Sequence, residues 1–197
     1  MFIKASNDVL SRTCINLSRK ITRIEYLNLG EVPSSGKGYA LLYDRLLSRM
    51  PIEQKKEHIT KLNKFVVVIY DDLNDENIGY TYPYVANRIA LISMRAGIYT
   101  MEHELGHLAL AGHEKEYSNK VNSGPRIAHA YSCGNYRSIM NENSSEGMLS
   151  GFYSDPNTLS GRQKCGDKIY ANNSEQLRRW RGFLIRKIEL QRKIRDL

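Results

Sequence analysis

The sequence has few cysteines and no long apolar run. Three cysteines, Cys14, Cys133 and Cys165, occur among 197 residues, so at most one internal disulfide can form. That number excludes a disulfide-rich scaffold but assigns no redox compartment. The longest apolar run, Phe65–Tyr70, has the length of a strand and is far too short to span a membrane. No basic segment followed by an apolar core opens the chain, so no signal peptide is visible.

The positive charge of the chain is concentrated at one end. A hydrophobic fraction of 41% and a charged fraction of 25% over 197 residues are typical of one soluble globular domain. Of the net charge of +8, residues 178–197 carry +6, from eight Lys and Arg against Glu189 and Asp196, which leaves +2 for the rest. We therefore do not expect nucleic acid binding as the main function. The tail either packs its apolar stripe on the domain with its cations in water, or meets an anionic surface or acidic partner.

Hydrophobic periodicity and turn formers predict a mixture of helices and strands. Phe65–Tyr70 is continuously apolar and is followed by acidic residues, which indicates a central strand buried on both faces. Pro83 indicates that the strand before it lies at a sheet edge or ends there. The other predicted elements are an irregular helix over 5–24, a linker over 31–38, a helix over 39–50, short strands at about 78–82 and 88–93, a helix at about 97–110, an irregular segment over 111–173, and a closing helix with Asn173 as its N-cap.

The stretch HELGHLALAGH, residues 103–113, contains three of the five histidines. Two histidines four apart on a helix are offset by about 40° and about 6 Å, so His103 and His107 can bind one ion. Glu104 lies one helical step away, where it can act as a base toward a water whose pKa zinc lowers to about 7. Because the His-Glu-x-x-His pattern also arises by chance on amphipathic helices, a third ligand is needed to support a metal site.

His113 is the candidate third ligand, since catalytic zinc usually has three protein ligands. On a continuous helix it would lie about 280° round and about 15 Å along from the first histidine, too far to share the ion. The helix must therefore end after His107, and Gly112 offers a residue that adopts positive φ without strain. We interpret His58 as a solvated residue of a helix face and His129 as a packing or hydrogen-bonding residue.

These residues resemble the signature of the metzincin zinc endopeptidases, HExxHxxGxxH followed by a tight turn with a methionine beneath the zinc. HELGHLALAGH is similar to the first part, and YRSIM at 136–140 resembles the second, with Met140 in the place of that methionine. Within the metzincins, the chain is most similar to reprolysin-like (adamalysin-like) secreted bacterial metallopeptidases. There a YRTIM-like turn precedes a YFSNP-like stretch, and this chain has FYSDP at 152–156. The resemblance spans about residues 65–180 and is specific from 99 to 156.

The resemblance implies an α+β fold with a twisted, mostly parallel sheet, an antiparallel edge strand, an active-site helix, a loop-rich C-terminal subdomain and a C-terminal helix. It implies one catalytic domain over 1–197, divided at about 1–113, 114–173 and 174–197, the last being the basic helix. Gly79, Tyr80 and Thr81 fall where the edge strand would hold extended substrate through its backbone. The implied site has one catalytic Zn²⁺ with ligands His103, His107 and His113, Glu104 as the catalytic base, and Met140 as its support.

One position in the turn departs from the family pattern. Leu110 stands where the family has glycine, and a leucine at positive φ costs about 1–2 kcal/mol. Either the turn shifts toward Ala111 and Gly112, or the strain is tolerated because zinc fixes the loop. Glu114 is the alternative third ligand.

Two carboxylates near the motif also need an interpretation. Glu142, two residues after Met140, stands where some metzincins have a tyrosine that binds zinc or stabilises the oxyanion, so zinc would carry most of that stabilisation here. Glu102, just before the motif, is interpreted as a carboxylate on the helix surface.

Cys133 and Cys165 enclose part of the irregular region and are separated by 32 positions. A disulfide between them would stabilise the fold by about 3–4 kcal/mol in the chain-entropy account, and two reduced thiols are the alternative.

We therefore expect a zinc-dependent endopeptidase that acts on protein or peptide substrates, is monomeric, and is secreted or otherwise exported. Two alternatives stay open. One is a basic binding protein or delivered toxin with a structural or vestigial zinc site. The other is a zinc hydrolase that acts on a non-peptide bond, because the motif specifies the nucleophile and not the electrophile.

Overall fold

The protein is described by a computed structural model that places residues 1–30, 36–71, 79–81, 88–114, 127–142 and 147–196. Within these ranges the fold is mixed α+β, with five helices around small mixed sheets. The helices are α1 (Phe2–Arg12), α2 (Gly36–Arg49), α3 (Ile52–Thr60), α4 (Thr100–Leu108) and α5 (Asn173–Arg195). The strands are β1 (Val66–Tyr70), β2 (Gly79–Thr81), β3 (Ile89–Ser93), β4 (Ser132–Cys133), β5 (Tyr136–Arg137), β6 (Met148–Leu149), β7 (Asp155–Ser160) and β8 (Gln163–Cys165). Residues 31–35 of the predicted linker and Pro83 lie outside the described ranges, and 36–38 already belong to α2.

The first sheet has the strand order β1-β3-β2, in which β1 and β3 are parallel and β2 is antiparallel to β3. The predicted antiparallel edge strand is therefore present as β2. The prediction that Phe65–Tyr70 forms the central strand is wrong, because β3 takes that position. All five residues of β3 are buried, whereas Ile69 of β1 is 53% exposed. With one pairing of each kind, the described sheet is mixed and not mostly parallel.

Helices cover both faces of β3, whose side chains alternate between the two sides of the sheet. One face packs on α2 and the other on α4. The cluster on the α2 side contains Ile89, Leu91, Leu42, Leu46 and Met50. The cluster on the α4 side contains Ala90, Ile92, Ala96, Met101 and Leu105. Met101 and Leu105 are one helical turn apart, so they fasten α4 to the sheet along one stripe.

The N-terminal helix is shorter than the prediction over 5–24. It begins at Phe2, buries Ala5 and Val9 on one face, and ends at Arg12. The Thr13 hydroxyl donates to the Val9 carbonyl at 2.7 Å, and Cys14 has a left-handed φ of 52°. This conformation cannot continue a right-handed helix, so the chain leaves α1 there.

The predicted irregular segment over 111–173 contains two further small sheets, β4-β5-β6 and β7-β8. Of the two alternatives for Cys133 of β4 and Cys165 of β8, the structure has the disulfide, with 5.0 Å between their Cα atoms. Cys14 is free and exposed. The crosslink connects the two sheets.

The closing helix α5 has Asn172, not Asn173, as its N-cap, because the Asn172 side chain accepts a hydrogen bond from the Glu175 amide at 3.1 Å. Its first half is attached to the domain, with Leu177 fully buried and the Trp180 ring 5.8 Å from that of Phe65. Farther along, Ile194 is 64% exposed. Among the described residues, no helix is long and apolar enough to cross a membrane.

Candidate metal centre

The helix that carries the first two histidines ends soon after them, as the spacing predicts. α4 runs from Thr100 to Leu108, and Ala109 forms its C-cap. Leu110 then adopts a left-handed φ of 65°, and its amide donates to the His107 carbonyl at 2.8 Å. Of the two alternatives for this turn, the structure has the one in which Leu110 is at positive φ, and Gly112 is not among the residues with positive φ. Leu110 itself takes the conformation that favours glycine.

The turn brings three imidazoles to one point. The Nε2 atom of His103 lies 3.1 Å from Nε2 of His107 and 3.2 Å from Nε2 of His113. One ligand atom from each histidine lies within 4.8 Å of the other two. Three side chains from a helix and the loop after it are therefore close enough to hold one metal ion. Glu114, the alternative ligand, is not a member of this cluster.

Backbone carbonyls orient two of the rings. Nδ1 of His103 lies 2.7 Å from the carbonyl oxygen of Ile139, and Nδ1 of His107 lies 3.0 Å from that of Ala111. A carbonyl can only accept, so each Nδ1 carries the proton and each Nε2 keeps a free lone pair. This tautomer is the one that binds a cation through Nε2.

Burial keeps the three rings neutral. It lowers the pKa of His103. Burial, together with the charges that His103 and His113 would carry, lowers the pKa of His107 well below its usual value. Burial and the proximity of His103 lower the pKa of His113 to about 3. A metal ion needs unprotonated imidazoles, so the donor set fits a cation that prefers nitrogen ligands.

Residues of the closing helix hold the loop that carries His113. The Gly112 amide donates to Oδ1 of Asn173 at 3.1 Å, and Nδ2 of Asn173 donates to the Gly112 carbonyl at 3.0 Å. Nε2 of Gln176 donates to the Ala109 carbonyl at 3.0 Å. Asn173, interpreted from the sequence as an N-cap, and Gln176 therefore position the loop that carries His113. Their role depends on contacts between residues more than 60 positions apart in the chain, and no local sequence pattern indicates such contacts.

Met140 lies in a tight turn beneath the helix, in which the Asn141 amide donates to the Ser138 carbonyl at 2.9 Å. Its side chain is fully buried. A β-carbon added to Gly106 would lie 2.9 Å from Sδ of Met140 and 2.8 Å from the hydroxyl oxygen of Tyr153. Met140 therefore packs against α4 at Gly106, between the turn and the helix that carries His103 and His107.

Glu104 projects between α4 and the edge strand. It is 5% exposed, and burial together with the charge of Glu142 raises its pKa to about 8. A β-carbon at Gly79 would come within 2.6 Å of its Oε1 atom. The predicted base and the predicted substrate strand are therefore in close contact.

The predictions that two single side chains lie in solvent are wrong. Glu102 is not on the surface: it is fully buried, and Arg19 binds its two carboxylate oxygens at 3.0 and 3.1 Å. Ser6 and Tyr153 also donate to this carboxylate. His58, expected to be solvated, is 8% exposed. The local sequence could not show the burial of Glu102, because Ser6, Arg19 and Tyr153, which bind its carboxylate, are distant in the chain.

His129 behaves as the sequence predicts, since its Nδ1 lies 3.3 Å from the carbonyl oxygen of His113. Glu142, by contrast, lies closer to the histidine cluster than we expected from the sequence. Its Oε1 atom lies 3.2 Å from Nε2 of His113 and 3.8 Å from Nε2 of His103.

Among solved structures, the chain is similar to one described as "Structure of a chaperone-substrate complex", with a TM-score of 0.51 and 17% sequence identity. The match covers 75% of this chain and 24% of that chain, so this protein spans a minor part of its length. At this identity the similarity concerns the fold alone. No protein-family model and no curated protein matches the sequence.

Proposed function

We propose that the protein is a zinc-dependent endopeptidase with His103, His107 and His113 as the metal ligands and Glu104 as the general base. The observation that carries the proposal is the convergence of three neutral imidazoles beside a buried carboxylate and an edge strand. Three nitrogen ligands with an open fourth position are the donor set of catalytic zinc. The same three ligands without the carboxylate or the strand would support only metal storage or structure.

Glu104 has the position and environment of a base. When bound, zinc lowers the pKa of a coordinated water to about 7. The Glu104 carboxylate, one residue along α4 from His103, can accept the proton of that water and give it to the leaving amine of the peptide. Burial and the charge of Glu142 raise the pKa of Glu104 to about 8, and a dication bound beside the carboxylate would lower that pKa and favour the ionised form that accepts the proton.

We propose that the edge strand β2 binds the substrate backbone. In the described sheet it pairs only with β3, through Gly79, Tyr80 and Thr81. An extended peptide can add to this edge through main-chain hydrogen bonds, which bind many sequences with similar strength. Since Gly79 contacts Glu104, a peptide on β2 would run past the base and the metal ligands.

Export forms part of the proposal. The Cys133–Cys165 disulfide is a bond that persists in oxidising compartments and is rare in the cytosol. A secreted peptidase would meet its protein substrates there. We propose that the protein acts as a monomer, since the three histidines of a single chain are close enough together to hold one ion.

The experiment that tests this function incubates the zinc-loaded protein with a diverse peptide pool and reads new termini by mass spectrometry. We expect cleavages that a chelator abolishes and added zinc restores. His107→Ala, purified in the same way, should cleave nothing, whereas His58→Gln, outside the metal cluster, should cleave the same bonds as the wild type. One zinc per chain without any cleavage would overturn the proposal and favour a binding protein with a structural zinc site.

A further inference from the structure

The structure places the carboxylate of Glu142 against the histidine nitrogens. Its Oε1 atom lies 3.2 Å from Nε2 of His113 and 3.8 Å from Nε2 of His103. These nitrogen atoms face one another in the histidine cluster, so the carboxylate lies on the same side of the rings as the proposed metal position.

The chain before Glu142 is held firmly. The Asn141 amide closes the turn on Ser138, the Asn141 carbonyl accepts from Nη1 of Arg137 at 2.6 Å, and the Asn141 side chain donates to Ser132 at 2.8 Å. These hydrogen bonds set the direction in which the next side chain leaves the turn. The turn that carries Met140 therefore also positions Glu142.

The distances around Glu142 are close to those within a set of four metal ligands. Around a tetrahedral zinc with bonds of about 2.0–2.1 Å, neighbouring ligand atoms are roughly 3.3 Å apart. The separations are 3.1 Å for His103–His107, 3.2 Å for His103–His113, 3.2 Å for His113–Glu142 and 3.8 Å for His103–Glu142. Glu142 is not a member of the three-histidine group, but its carboxylate lies within reach of two of the three nitrogen atoms.

We propose that Glu142 is a fourth protein ligand of the resting metal site, a role that rests on the metal centre of the proposed function. With a metal bound, its carboxylate would take the coordination position that water needs, and the enzyme would be inactive until the carboxylate moved away. The Glu142 side chain is 47% exposed, whereas His113 is 14% exposed, so the carboxylate has open solvent into which it can rotate. A negative ligand also reduces the charge of a dication held by three neutral rings.

A different role for the same contact makes an opposite prediction. If Glu142 only accepts a hydrogen bond from a protonated Nε2 of His113, it competes with the metal, because the metal needs that nitrogen without its proton. Removing the carboxylate would then strengthen metal binding. Removing a ligand weakens it.

The test compares the wild type with Glu142→Ala and the isosteric Glu142→Gln, and with Glu114→Gln as the matched control. Glu114 adjoins His113 but lies outside the three-histidine cluster, so its loss removes a nearby charge without removing the proposed ligand. Dissociation constants for Zn²⁺ and Co²⁺ are measured by competition with a chromophoric chelator. We expect both Glu142 variants to raise the constants by about tenfold or more, and Glu114→Gln by less than about twofold.

Acetate gives a second, independent measurement. In the Co²⁺ form of Glu142→Ala, added acetate should enter the vacated position and change the visible spectrum, with saturation, toward that of the wild type. The wild-type spectrum should not respond. Unchanged or tighter metal binding by the Glu142 variants, or an acetate response by the wild type equal to that of Glu142→Ala, would overturn the proposal.

These readouts separate the ligand role from the peptidase. Weaker metal binding and acetate rescue without any peptide cleavage would leave Glu142 as a ligand and overturn the endopeptidase. Cleavage by a protein whose metal affinity does not depend on Glu142 would overturn the ligand role alone.

Discussion

Nδ1 of His103 lies 2.7 Å from the carbonyl oxygen of Ile139, so the turn that contains Met140 also orients an imidazole of the candidate metal centre. Met140 is packed against Gly106 on the same helix. One contact joins the turn to a ring nitrogen of a helix residue, and the other joins the turn to the helix backbone. A change that separates the turn from the helix should therefore affect both stability and metal binding.

Gly106→Ala tests that contact. The added β-carbon would lie 2.8 Å from the Tyr153 hydroxyl and 2.9 Å from Sδ of Met140, so one of them must shift. We expect the free energy of unfolding to fall by about 1–3 kcal/mol, as for overpacked cores, and zinc affinity to fall with it. Urea denaturation and metal competition measure the two effects. Gly97→Ala, whose nearest neighbour is 3.9 Å away, is the control, and an equal loss in both variants would contradict the account.

Leu110→Gly tests the strain at the start of the metal loop. A left-handed leucine costs about 1–2 kcal/mol, and a glycine adds about 0.5–1 kcal/mol of unfolded-state entropy. We therefore expect the substitution to stabilise the metal-free protein by about 0.5–1 kcal/mol in urea denaturation. Ala109→Gly, at an ordinary φ of −94°, should instead destabilise it by about 1 kcal/mol. Equal destabilisation by both changes would show that Leu110 is not strained.

The spacing of the three histidines was sufficient to predict that they lie close together. Helical arithmetic pairs His103 with His107, and the distance to His113 requires the helix to end where it does. The position of the left-handed residue could not be predicted in this way. Gly112 is the better residue for positive φ, but its amide and carbonyl are both bound by Asn173, which is 61 residues away. Because these long-range hydrogen bonds hold Gly112, Leu110 is the residue that adopts the left-handed conformation.

Which strand and which side chains are buried could be predicted only in part. The apolar run at Phe65–Tyr70 identifies a strand correctly, yet its place in the sheet depends on which strands pair with it, and β3 is the one between two partners. Glu102 reads as a surface residue on α4 because nothing nearby in the chain compensates a buried charge. Its partner, Arg19, lies 83 residues earlier.

Removal of one partner of the ion pair between Arg19 and Glu102 should strongly destabilise the protein. Its side chains are 10% and 0% exposed, so loss of the cation leaves a buried carboxylate without its charge partner. We expect Arg19→Ala to lower the free energy of unfolding by about 3–5 kcal/mol. Arg23→Ala, which breaks a pair with Glu25 in which Arg23 is 63% exposed, should cost less than about 1 kcal/mol. Chemical denaturation of both variants decides the point, and similar small losses would refute a structural role for Glu102.

Asp155 should make stability depend on pH in the acidic range. Burial opposes its ionisation, but hydrogen bonds from Ser174, the Asn157 amide and Arg178 outweigh it and lower its pKa below 3.8. The stabilisation is therefore complete above about pH 3.8, the unfolded value, and is lost as the pH falls through the lower folded value.

Asp155→Asn should accordingly cost about 1–3 kcal/mol at pH 7, and less as the pH falls below about 3.8. Urea denaturation at a series of pH values gives both numbers. Asp44→Asn, on the exposed side of α2, should change the free energy of unfolding by less than about 0.5 kcal/mol. A cost for Asp155→Asn that stays constant into the acid range would contradict the ion pair with Arg178.

The most direct measurement of the central claim is the rate at which wild type and Glu104→Gln cleave one susceptible peptide, with both proteins loaded to one zinc per chain. Glutamine keeps the shape of the side chain but cannot accept the proton. We predict that Glu104→Gln binds zinc and cleaves at least about 10²-fold more slowly. Cleavage by the variant at the full, zinc-dependent rate of the wild type would contradict the account.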